Sequence, residues 1–154
     1  MKNTLILYFI ITPITFIFCQ SFNEITNINS YNQFAKVMIE NGYELDEKTF
    51  NGAIYKKEKI LSEGKSEVEA IATFDGKSNI FHIMFLKSSS VMKKKYDMIF
   101  SNVKEKCKFS RIVLEKDVPI YFGGGDWASY GCEKISLSFS QKNGWLMLMN
   151  WKLN

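Results

Sequence analysis

SVMKKKYDMIFSNVKEKC, the stretch from Ser90 to Cys107, decides how the rest of the chain is read. At 100° per residue Met92, Tyr96, Ile99, Phe100, Val103 and Cys107 fall within an arc of about 100°, while Lys93, Lys94, Lys104 and Glu105 lie outside it, so the spacing predicts an amphipathic helix. An apolar stripe of this width needs a surface to cover. Segments of strand character stand on both sides of it, Ile80 to Leu86 before and Ile135 to Leu153 after, which makes a sheet face the natural partner.

Upstream, Ser30-Tyr31-Asn32-Gln33 has the form of a capping box, in which hydroxyl and amide satisfy free backbone donors at a helix start. Tyr31, Phe34, Ala35, Met38 and Ile39 then share one face. Gly42 is placed to end this helix in a left-handed cap, with Tyr43 folding back on Met38. Strand character follows at 43–45 and 53–57, separated by the turn pair Asn51-Gly52, and 59–65 is polar enough for a loop. Val68, Ala70, Ala72 and Phe74 alternate with polar neighbours, the period of a half-buried strand. After the turn Asp75-Gly76, the run Ile80-Phe81-His82-Ile83-Met84-Phe85-Leu86 is apolar on both faces and suits a central strand.

Downstream, 109–115 reads as a strand, Asp117-Val118-Pro119 as a break and Ile120-Tyr121-Phe122 as a short edge strand entered through proline. Gly123-Gly124-Gly125-Asp126 reads as loop. For the last hairpin, a two-residue Asn143-Gly144 turn would set Phe139 against Leu148 and Leu137 against Asn150. A three-residue loop, Lys142-Asn143-Gly144, would pair Phe139 with Met147, Leu137 with Met149 and Ile135 with Trp151, gathering the large apolar residues on one face. The second register is the one expected.

Together these segments predict an α+β fold of two layers, an antiparallel sheet with two helices packed on one face. Two halves, 30–87 and 88–154, each run helix and then β-meander. The order of elements resembles that of envelope-assembly lipoproteins, PepSY modules and β-lactamase inhibitory proteins, a likeness that implies a fold and not a function.

The first nineteen residues, a basic start at Lys2 and a broken apolar run from Leu5 to Phe18, read as a signal peptide cut after Cys19. A lipoprotein anchored at Cys19 is the weaker alternative, because Phe18 is bulky where a small residue is wanted. Residues 20–29 form a leading arm and 30–154 a single domain, with no integral span after cleavage. The location expected is secreted or periplasmic. Removing Lys2 leaves 19 basic and 16 acidic side chains, a charge of +3, too mild for a nucleic-acid surface. Two cysteines remain, Cys107 and Cys132, and in an oxidising compartment they form one disulfide, stabilising by about 3 kcal/mol.

Chemistry is sparse. His82, alone of its type, has no ligand-spaced partner for general-base or metal work, so no metal, cofactor or enzymatic activity is expected. The glycine run is not followed by a helix, which argues against a phosphate cradle. Lys93-Lys94-Lys95 opposes the dipole at its helix start and could meet an anionic partner, although solvated lysines are commoner. The expected function is binding, to an unknown protein or to a second copy, through the sheet's open face and the Gly123–Tyr130 loop. Tyr121, Asp126, Trp127, Tyr130, Leu146 and Leu148 are the expected contact residues. A carrier of a small apolar ligand, held between helices and sheet, is the alternative, and an unrecognised enzyme a remote one.

Overall fold

The computed structural model describes residues 21–114 and 125–150. Its first helix, α1 (Phe22–Thr26), lies within the leading arm, and a full capping box between Ser21 and Glu24 starts it. Ile25 and Ile28 of this arm are buried in the main core, so the arm seals the helix side of the molecule. In α2 (Tyr31–Glu40) the Ser30 hydroxyl accepts from the Gln33 N–H, but the Gln33 side chain reaches one residue further back, to the Asn29 N–H at 2.8 Å. Gly42 closes the helix at φ +74°, and the Tyr43 N–H donates to the Met38 carbonyl, as the cap required. The buried face is Phe34, Val37 and Met38; Ile39 points to solvent, since the true face is rotated toward Val37.

Eight strands follow: β1 (Glu44–Thr49), β2 (Gly52–Ile60), β3 (Ser66–Asp75), β4 (Ile80–Leu86), then, after α3 (Ser90–Lys106), β5 (Lys108–Val113), β6 (Trp127–Gly131), β7 (Ser136–Lys142) and β8 (Trp145–Asn150). They form one sheet in the order β1-β2-β3-β4-β8-β7-β6-β5, every neighbouring pair antiparallel. Each half is a helix plus a four-strand meander, and the halves join through their last strands. Because the order is palindromic and both helices lie on the same side, the halves are related by an approximate two-fold axis normal to the sheet. The pairs His82–Met149 and Leu86–Trp145 stand symmetrically about Met84–Met147.

The helix-side core is continuous across this seam. Phe34 stacks among Tyr55, Phe74 and Phe81, with ring centroids 5.3 to 6.0 Å apart, and Tyr96 and Phe100 of α3 pack on Phe139 at 5.7 and 4.8 Å. Met92, Ile99 and Val103 are buried as the stripe predicts, and Phe100 is half-buried. The Cys107–Cys132 disulfide is formed and ties the end of α3 to the β6–β7 turn.

The last hairpin takes the register that the sequence reading rejected. Asn143 and Gly144 both have positive φ, +50° and +82°, the signature of a two-residue type I′ turn, and Phe139 pairs with Leu148, Leu137 with Asn150. Pairing of Phe139 with Met147 and Leu137 with Met149 is thereby excluded; Trp151 lies outside the described residues. Two physical reasons account for the difference. β8 is buried on both faces, so sorting all large apolar groups to one side was the wrong criterion. And Asn150 opposite Leu137 is satisfied: its Oδ1 accepts from the Phe81 N–H, and its Nδ2 donates to the Asn79 carbonyl at 3.2 Å.

Other boundaries moved as well. β1 and β2 are longer than expected, and the 59–65 segment is partly strand, with a 3₁₀ turn at Ser62–Gly64. Gly52 opens β2 where a Cβ would lie 1.8 Å from the Phe74 carbonyl oxygen, so no other residue fits without backbone movement. The expected strand at 120–122 lies outside the described residues.

Candidate functional site

The register decides which residues face which way. Leu146 and Leu148 lie under the helices with Leu137 and Phe139 and are buried, so they are not the bare surface expected of them. Residues 127–130, expected in a recognition loop, belong to strand β6, flanked by β5 and β7. Trp127 is fully buried on the opposite, second face, and Tyr130 is buried on the helix side against Phe100 and Phe139. Asp126 is exposed, and its carbonyl accepts from the Ser140 hydroxyl at 2.9 Å. Tyr121 lies outside the described residues, as do Gly123 and Gly124. Of the five expected contact residues that are described, the structure leaves Asp126 at the surface and forms no exposed patch from them.

The second face is itself half closed. Val113, Trp127, Met147 and Met149 form a small core there, joined by Ile80, Met84 and Trp145. A row abreast across the sheet, Thr73, His82, Met149, Ser138 and Ser129, carries polar groups through it, and the Ser138 and Ser129 hydroxyls are 3.1 Å apart. His82 sits against the Trp127 ring at 5.8 Å, and burial pushes its imidazole down to about 4. The Trp127 indole N–H has no acceptor among the described residues. Toward β1 the same face is more open, with Ile54 and Ile71 half-buried beside an exposed ion pair, Lys56 to Asp46 at 2.8 Å.

Two clefts open at the surface, about 380 Å³ between α1 and the Cys132–Lys134 turn and about 350 Å³ between Tyr31, Phe74 and the Phe50 turn. Among the described residues no three of His, Cys, Asp and Glu converge as metal ligands would. None of the helices among them is long and apolar enough to cross a membrane. The lysine run is not a uniform solvated stripe: Lys95 is buried and Lys93 pairs with Asp97.

The feature that composition did not reveal is the outer edge of the sheet. In β5 every residue but Val113 is exposed, and Phe109 and Ile112, both 52% exposed, lie on the helix side beyond the cover of α3, with Leu114 next to them. Their strand partners Tyr130 and Ala128 fix that orientation. Lys108 and Arg111 point to the second face. Phe50 is also fully exposed, but it stands alone at a turn, which is common for single apolar residues. The signal for β5 was present as a short segment of basic and apolar residues after a helix; what hid it was that edge position depends on topology.

Compared with protein-family models, curated proteins and solved structures, the chain matched none.

Proposed function

We propose that this is an exported, non-enzymatic binding domain that engages a protein through the β5 edge of its sheet. The observation that carries the reading is the exposure of Phe109 and Ile112 on an outermost strand, and of Leu114 just past its end, with no further strand beyond it among the described residues. An apolar edge of this kind offers unpaired backbone groups and side-chain contacts at once, the requirements of strand addition. The disulfide supports an oxidising compartment, extracellular or periplasmic, and the leader 1–19 with cleavage after Cys19 is the proposed route there. The carrier alternative asks for open space between helices and sheet, and the aromatic packing around Phe34 and Phe139 fills that layer, which favours binding at the surface.

A photo-crosslinking residue in place of Ile112, introduced in the producing cell, tests this. It is expected to give protein adducts of discrete mass that the same group at exposed Lys94 does not give. Equal yields at the two positions would refute the reading.

A further inference from the structure

The geometry points to a second copy of this chain as the occupant of the β5 edge, with β1 of that copy as the added strand. This rests on the reading of β5 as a binding edge and names its partner.

Seven successive antiparallel pairings separate β1 from β5, so the two outer strands run in opposite directions. A second molecule placed beside the first in the same orientation, helices on the same side, therefore presents β1 antiparallel to β5 without any inversion. The faces agree as well. On the second face β5 carries Lys108 and Arg111 and no acid, while β1 carries Glu44 and Glu47, with Asp46 beside them. On the helix side β5 carries Phe109 and β1 carries Leu45, 45% exposed.

The register is matched too. Each edge strand has one extra residue, Ser110 in β5 and Asp46 in β1, at an irregularity of its ladder. With these set aside, placing Lys108 opposite Glu47 puts Phe109 opposite Leu45 and Arg111 opposite Glu44. Opposite charges and apolar pairs directly across two strands are the stabilising combinations. The symmetric alternatives, β5 on β5 or β1 on β1, set like charges against each other. The contact is thus heterologous: copies join head to tail into chains or closed rings. One strand pair buries less area than a standard interface, so the association belongs to the weak, transient class.

Sedimentation velocity of the purified, disulfide-bonded protein over a wide concentration range tests the proposal. Association is expected to grow with concentration and to fall in about 1 M salt, where the screening length is about 3 Å. Lys108→Glu with Arg111→Glu, and separately Glu44→Lys with Glu47→Lys, should each abolish it while far-ultraviolet dichroism stays unchanged. Mixing the two variants should restore it, because the reversed edges complement each other. A wild type that is monomeric throughout, or a mixture that stays monomeric, overturns the proposal. If reversal on β5 abolishes association and reversal on β1 leaves it intact, the β1 assignment falls while binding through β5 stands.

Discussion

Two single side chains decide more than their size suggests. Asn150 was read as a polar intruder opposite Leu137; in the fold it closes the start of β4, its Oδ1 accepting from the buried Phe81 N–H. Asn150→Ala leaves that buried donor unsatisfied, and a loss of about 1–3 kcal/mol in unfolding free energy is expected from urea titration. His82 was read from sequence as lacking ligand-spaced partners, and its burial has a pH consequence. Its folded value, about 4, lies below the ordinary 6.5, so above pH 6.5 both states are neutral. As pH falls from 6.5 to about 4 the unfolded chain takes up a proton that the native state refuses, and stability declines by about 3 kcal/mol. His82→Gln should remove that component. Urea midpoints at pH 7, 5 and 4 for both proteins will show it as a shallower acid slope in the variant, the carboxylates contributing equally to each. Polarity could be read at both positions; the partners could not, because they come from strands distant in sequence.

At the level of elements, periodicity identified the two long helices and the central strand, since a stripe of side chains at fixed spacing is a property of the segment alone. It failed where the answer lay in a neighbour. The β7–β8 register followed the positive φ of Asn143 and Gly144, and the sorting of apolar groups misled because β8 contacts two cores, with Leu146 and Leu148 on one side and Met147 and Met149 on the other. Residues 127–130 of β6 were read into the loop that follows the glycine run; Ala128 and Ser129 are small residues suited to a strand pressed between neighbours. The disulfide was legible by elimination among two cysteines. Its removal by Cys107→Ser with Cys132→Ser releases a constraint on a 25-residue separation and is expected to lower stability by about 3 kcal/mol, measured by urea unfolding under conditions where both proteins are two-state.

For the molecule as a whole, the tandem plan of helix and meander was visible in sequence, but the way the halves meet was not, and with it went the choice of contact surface. Leu146 and Leu148 became interior because β8 returns to the centre, and the sheet's ends became β1 and β5. The head-to-tail association argued above belongs to this scale, since it depends on two edges about 30 Å apart or more by strand spacing alone. The same return of β8 sets the order of biogenesis. β4, apolar on both faces, has β3 on one flank and waits for β8 on the other, more than fifty residues later. During synthesis the N-terminal half thus carries a sticky, half-zipped seam until Trp145–Asn150 emerges. A chain cut short before Trp145 lacks β8, the strand that joins both halves, and quality-control proteases would meet it as an open sheet.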